Sequence, residues 1–182
     1  MNLYISDLHL GHANVIKHDS RPFADVAEMD RVMLERWNEA VGDDDDVYVV
    51  GDFCFRSAWS ADWYLSRLKG RKHLVVGNHD WLTLKNEKAM SMFVSVNQML
   101  EIEDNGRSIV LCHYPMAEWR NSMRGAWLIY GHIHSRKNTT FEFMRTLDHA
   151  LNAGAPINGY APVTFDELVE NNKRHNWPEE EG

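Results

Sequence analysis

HLVVGNHD, residues 73–80, is an apolar run that stops at a glycine and hands over to three polar side chains. The same design recurs along the chain. LYIS (3–6) ends at Asp7, VYVV (47–50) at Gly51-Asp52, SIVLC (108–112) at His113, and WLIY (127–130) at Gly131-His132. Each run is short, rich in β-branched or aromatic residues, and closed by glycine or a polar group, which predicts five buried strands. Helical patterns lie between and after them. In AEMDRVMLERWNEAV (27–41), Met29, Val32, Met33, Trp37, Ala40 and Val41 share one face. SADWYLSRLKG (60–70) predicts a second helix with Ser60 as N-cap and Gly70 as its stop. Asp104-Asn105-Gly106, between MLEIE and SIVLC, predicts a hairpin turn, and Thr164 with Glu167 a capping box for a last helix over roughly 165–174. Strands alternating with helices, plus one hairpin, make an α/β protein with some antiparallel pairing.

In open α/β sheets, ligands bind beyond the carboxyl ends of the strands, and there the chain places Asp7, His9, Asp52, Asn78, His113, His132 and His134. An isolated His-x-His is as well explained by histidines bonded to backbone. Recurrence at five strand ends, beside Asp and Asn, argues against satisfied core histidines. These oxygen and imidazole donors, with no thiolate, suit Mn²⁺, Fe²⁺, Co²⁺, Ni²⁺ or Zn²⁺. Seven exceed what one tetrahedral zinc site uses and match two ions roughly 3.5–4 Å apart, bridged by a carboxylate. Strand alternation would put both members of Asp7-Leu-His9, and of His132-Ile-His134, on one side. Such a pair of cations attracts a phosphate ester and lowers the pKa of a bound water. His79 would protonate the leaving oxygen, and Asp80 would orient its imidazole.

Taken in order, Asp7-Leu-His9, Gly51-Asp52, Gly77-Asn78-His79-Asp80, His113 and Gly131-His132-Ile-His134 resemble the motif set of the calcineurin-like metallophosphoesterase superfamily. SDLHLGHANVI, Arg21-Pro22-Phe23 and VYVVGDF further resemble a small, largely uncharacterised bacterial and phage branch of it. LNAGAPINGYAPVTFDEL (151–168) is similar to a late segment of that branch but departs from it at Ala153 and Ala155. The resemblance implies a two-sheet β-sandwich flanked by helices, a four-layer αββα arrangement, as one domain over residues 1–182 with no cap domain. It implies that Asp7, His9, Asp52 and His134 hold one metal. Asp52 would bridge to a second, held with Asn78, His113 and His132. Mn²⁺ is the expected ion. The implied activity is hydrolysis of phosphate esters by a hydroxide on the metal pair, with a phosphodiester preferred. The alternatives are a phosphomonoesterase or nucleotide phosphatase, and a non-catalytic interaction module on the same fold. The Gly-Asp-x-x-Asp-Arg-Gly motif of the superfamily's protein phosphatases is replaced by GDFCFRS (51–57).

Other residues border these motifs. His12 and Asn14 are read as contacting phosphate or leaving group rather than capping a helix, and Asn78 doubles as a substrate contact. Arg21 either binds a phosphate bidentately or pins the Arg-Pro-Phe loop. Tyr114 and Trp119 fall where a rim aromatic would stack on a nucleobase. Trp37, Trp59 and Trp63 are expected in the core, and His18, His149 and His175 on the surface or in packing. Asp43 to Asp46 lack calcium-loop spacing and read as a solvated turn.

Composition bounds the class. With 182 residues, 44% hydrophobic and 25% charged, the chain can bury a real core. The net charge of −8, with no basic block, argues against an extended nucleic-acid surface. No apolar run approaches the roughly 20 residues of a membrane span. MNLYISDLHLGH lacks the marks of a signal peptide, and two cysteines make no disulfide framework. The expected setting is the cytoplasm, and the expected partner a small phosphate ester, a nucleotide being one form.

Overall fold

The structure, a computed structural model, describes residues 1–178. Of the tail WPEEEG (177–182), which the sequence leads one to expect frayed, residues 179–182 lie outside the described residues. Two four-stranded sheets form the centre. The first runs in sequence order, β1 (Asn2–Ile5), β2 (Asp46–Val49), β3 (Arg71–Val75) and β4 (Phe93–Asn97), all parallel. The second holds β5 (Met99–Asp104), β6 (Arg107–Cys112), β7 (Trp127–Tyr130) and β8 (Ala150–Asn152). Only β5 and β6 in it are antiparallel. Their turn places Asn105 and Gly106 at φ 50° and 78°. Two consecutive positive φ angles make the tight hairpin that Asn-Gly favours.

The alternation within strands builds the layers. Leu3 and Ile5 of β1 face outward with Val47, Val49 and Leu74, against Met29, Met33 and Trp37 of α2 (Val26–Ala40) and Tyr64 and Leu65 of α3 (Ala61–Leu65). Tyr4, Tyr48, Val50 and Val75 face the other way, onto Ile109, Leu111, Ile129 and Leu151 of the second sheet. The far side of that sheet presents Val110, Leu128 and Tyr130 to Phe141 and Met144 of α6 (Thr139–Met144). The result is helix, sheet, sheet, helix. Each fully buried side chain of this size contributes about 1.5–3 kcal/mol. The Tyr4 hydroxyl donates across the sandwich to Asp104 Oδ2 at 2.8 Å.

Helix ends follow local chemistry. Asp25 accepts from Glu28 N at the start of α2, and Thr164 and Glu167 form the capping box of α7 (Phe165–Asn176). The helix expected over 60–70 stops at Leu65, and Ser60 occupies the N-cap position without a side-chain capping hydrogen bond. Trp37 is buried, whereas Trp59, expected in the core, is 54% exposed and stacks on Trp63 with centroids 4.8 Å apart. Residues 43–45 form a turn, with Asp45 accepting from Gly42 N and the N-terminus, whereas Asp46 opens β2 and pairs with Arg71. Among the described residues, no helix is long and apolar enough to cross a membrane.

Candidate metal centre and cleft

The carboxyl ends of β1, β2, β3, β6 and β7 meet at one edge of the sandwich, and the polar residues beyond them converge. The expectation that strand alternation aims the Asp-x-His and His-x-His pairs is corrected here. Asp7, His9, Asp52, His132 and His134 have φ of 55°, 51°, 56°, 72° and 54°. They sit in left-handed turns just past the strands. Asp and His tolerate this backbone better than most L-residues, but it is uncommon and strained. Hydrogen bonds between loops hold it: Asp7 N donates to Gly51 O, His9 N to Asp52 O, and His132 N to the Asp7 carboxylate. Gly51, at φ 88°, is a second requirement, since a Cβ there would strike the His113 ring.

Asp7, His9, Asp52 and His134 are all buried, and one ligand atom from each lies within 4.8 Å of the others. His134 Nε2 is 3.4 Å from Asp7 Oδ1 and 3.2 Å from His9 Nε2. Asp52 Oδ2 is 3.5 Å from both His9 Nε2 and His113 Nε2, a position between two groups of donors. On the far side, Asn78 Oδ1 is 3.0 Å from His113 Nε2 and 2.9 Å from His132 Nδ1. Burial and then the His134 ring hold His9 far below the usual imidazole range, and burial and then His113 lower His132. Burial raises the Asp52 carboxyl despite His113.

The donor chemistry tests whether cations fit. His113 Nδ1 is 2.9 Å from the Val50 carbonyl, which only accepts, so Nδ1 carries the proton. Nε2 then presents a lone pair to the Asn78 oxygen and the Asp52 carboxylate. His134 Nδ1 likewise donates to Asp19 Oδ2 at 2.5 Å, leaving its Nε2 as a lone pair toward Asp7 and His9. In the buried group of Asp7, His9, Asp52 and His134, lone pairs facing lone pairs at about 3 Å are repulsive unless a cation stands among them. These four residues fit a divalent ion, and Asn78, His113 and His132 place further oxygen and imidazole donors beside Asp52.

The cleft over this centre has a volume of about 240 Å³. It is lined by His9, His12, His79 and His132, among others, and by Arg136, its one lysine or arginine among the described residues. A larger groove of about 540 Å³, near the β5–β6 turn and Met1, carries no comparable donor cluster among the described residues. His79 packs its ring on Phe55, centroids 4.2 Å apart, and its backbone N–H donates to Asp52 Oδ1 at 2.7 Å. His12 packs on Phe55 and does not cap α1 (Ala13–His18) with its side chain.

Three expectations are corrected. Asp80 does not orient His79. Its carboxylate is wholly buried and accepts from Asp52 N, Phe53 N and Gly77 N at 2.8–2.9 Å, tying two loops together. Burial pushes its pKa up to about 6. Arg21 does not reach the cleft as a phosphate ligand. Buried, it donates to the carbonyls of Leu8 and Asp7 at 2.8 Å and to Asp19 Oδ2. Asn14 is exposed on α1 and is not part of the cleft wall. Tyr114, 47% exposed, lies beside His132 at 4.8 Å, whereas Trp119 turns inward and donates to Ala126 O. The 151–168 segment supports the centre: Asn152 Nδ2 donates to His134 O, and Ser6 N to Ala153 O. Sequence reasoning missed Asp19, His18 and Arg136 in the cleft wall. Only the clustering of polar residues in His18-Asp19-Ser20-Arg21 hinted at the first two.

The family model described as the calcineurin-like phosphoesterase superfamily domain matches residues 1–160. The chain belongs to this superfamily. An uncharacterised protein of Methanocaldococcus jannaschii, MJ1445, is 32% identical over 168 residues, covering 91% of this chain and 88% of its own. The gene 66 protein of Mycobacterium phage L5 is 31% identical, covering 72% and 76% respectively. Among solved structures, AQ665 of Aquifex aeolicus, described as a protein of unknown function, superposes with a TM-score of 0.72 at 26% identity. That match covers 93% of this chain and 98% of the other. Family membership points to a metal-dependent phosphoesterase, and the buried donors supply a candidate metal site.

Proposed function

We propose that this chain is a dinuclear-metal phosphodiesterase acting on small phosphate esters. The observation that carries this reading is the double set of lone pairs about Asp52. Asp7 Oδ1, His9 Nε2, His134 Nε2 and Asp52 Oδ2 would hold one divalent ion. Asn78 Oδ1, His113 Nε2 and His132 Nδ1 would hold the other with Asp52. When bound, such ions neutralise phosphate charge and activate water near neutral pH. Mn²⁺ is the ion the family resemblance leads us to expect, and Fe²⁺, Co²⁺, Ni²⁺ and Zn²⁺ compete for the same oxygen and imidazole donors.

The chain's own residues do the rest. His79 faces the cleft with its ring braced by Phe55, and would carry the proton delivered to the leaving oxygen. His12 and Asn78 would contact the phosphate, and Arg136 the charge of a bound ester. A single arginine suits a diester monoanion better than a monoester dianion, which supports the diester preference. Tyr114 at the rim offers a stacking face to a nucleotide. We read the chain as one domain, without a cap over the cleft. The unpaired cysteines, Cys54 and Cys112, accord with the cytoplasm.

The test compares bis(p-nitrophenyl) phosphate with p-nitrophenyl phosphate under Mn²⁺, in wild type and His79→Ala. Faster diester turnover, lost on chelation and reduced about 10²–10⁴-fold in the variant, supports the proposal. Faster monoester turnover overturns the diester preference. Failure to bind any divalent ion by calorimetry overturns the metal reading.

A further inference from the structure

We propose that Asp19 is a positioning residue for the metal centre: its carboxylate fixes His134 as the Nδ1–H tautomer and aims Nε2 at Asp7 and His9. The inference rests on the two-metal reading of the site. Asp19 stands at the C-terminus of α1, with its backbone N–H donating to Val15 O at 2.9 Å. Its side chain is 1% exposed. One oxygen, Oδ2, receives three donors: His134 Nδ1 at 2.5 Å, Arg21 Nη2 at 3.2 Å and Arg21 Nε at 3.3 Å.

Each part of this arrangement constrains the next. A carboxylate flanked by a guanidinium only accepts, so the imidazole nitrogen facing it must bear hydrogen. The opposite nitrogen is then free to bind a cation. A carboxylate behind a metal-binding histidine raises its basicity and freezes ring rotation. The His134 carbonyl is separately held by Asn152 Nδ2 at 2.7 Å, so ring and backbone are both clamped. Arg21 adds a second consequence. The guanidinium that neutralises Asp19 also donates to the carbonyls of Asp7 and Leu8. The Asp-x-His and His-x-His loops are therefore aligned to each other through Asp19-Ser20-Arg21, although none of these three is a proposed ligand.

The test has two readouts besides activity. In metal-free protein labelled with ¹⁵N-histidine, long-range ¹H–¹⁵N correlation spectra report the His134 tautomer, assigned with His134→Gln. Wild type is expected as Nδ1–H, and Asp19→Asn as a mixture or the opposite tautomer. In calorimetry, Asp19→Asn is expected to bind one of the two ions about 10–100-fold more weakly, with Asp19→Glu intermediate. An Nε2–H tautomer in wild type overturns the inference without any variant having to fold. So does Asp19→Asn affinity within twofold of wild type. Absence of any divalent binding by wild type counts against the two-metal reading instead, and the tautomer spectrum then still judges Asp19.

Discussion

Arg21 offers the sharpest prediction, because its two readings diverge in what they perturb. Its side chain is 0% exposed, and the Asp19 carboxylate it faces is 1% exposed. Arg21→Met removes the guanidinium while keeping much of the apolar stem. The buried carboxylate is then left with His134 alone, and breaking a buried ion pair from one side costs about 3–5 kcal/mol. The Leu8 and Asp7 carbonyls lose charge-assisted donors at 2.8 Å, while methionine packing against Met29 and Tyr160 returns part of the loss. The expected net destabilisation is about 4 kcal/mol, a large share of the ~5–15 kcal/mol that holds a domain folded. With a urea slope of about 2 kcal/mol/M, the unfolding midpoint should fall by about 2 M. Arg21→Lys, which keeps the charge but reaches fewer acceptors, should fall about half as far. Equilibrium urea unfolding by tryptophan fluorescence measures both. A midpoint unchanged within about 0.3 M, together with a tenfold rise in KM, would refute this account and return Arg21 to the substrate.

Further expectations test other parts of the frame. Asp80→Ala orphans three buried N–H groups at about 1–3 kcal/mol each, offset in part by relief of the buried carboxylate; a net loss of about 3 kcal/mol in urea unfolding is expected, whereas lower kcat at unchanged stability would restore Asp80 as the partner of His79. Gly106→Ala and Gly51→Ala impose the same backbone strain, at φ 78° and 88°, but only Gly51 has a side chain in the way, the His113 ring; Gly106→Ala should cost about 1 kcal/mol in thermal unfolding, and Gly51→Ala should also abolish one of two metal equivalents in calorimetry. The hydrogen bond from Arg71 holds the Asp46 carboxyl at about 2. Because that folded value is depressed, its stabilisation is present above about pH 4 and lost as pH falls toward 2. The pair is largely solvent-screened, so Asp46→Asn should cost no more than about 1 kcal/mol at pH 7 and progressively less as pH falls through about 2.

What the sequence made legible was whatever is encoded locally. The five apolar runs became β1, β2, β3, β6 and β7 because a strand buried on both faces must be apolar at nearly every position. The capping box before α7 and the Asn-Gly turn are likewise short-range chemistry. β4 was invisible because FVSVN buries only Phe93 fully, as an edge strand permits, and β8 is only three residues long. At the site, residue types showed which groups would gather but not which held the others. Asp19 meets His134 across 115 positions, and no spacing rule reaches that far. Asp80 was misassigned for a related reason: adjacency to His79 suggested a partner, while the structure spends all its acceptors on backbone N–H groups.

Two buried charges, Asp80 and Arg21, also explain how the strained loops persist. Five of the candidate ligands occupy left-handed backbone, at about 1 kcal/mol or more each, so roughly 5 kcal/mol works against the gathered arrangement. Extended backbone would relax it and scatter the side chains. Asp80 fastens the Asp52 loop to the Gly77 loop through three N–H bonds. Arg21 fastens the Asp7 loop and, through Asp19, the His134 ring. Neither charge reaches the cleft, yet between them they hold four of the five loops from behind. The protein frame therefore holds the donors facing one another, which leaves less for cation binding to order. If this is how the site is built, loss of either buried charge should weaken metal binding by an amount that tracks loop disorder. Hydrogen exchange at the amides of Asp7, Asp52 and His132 in Arg21→Met and Asp80→Ala reads that directly. Protection lost only in the loop each charge touches would support two separate clasps, and uniform loss across the edge would show a single cooperative unit instead.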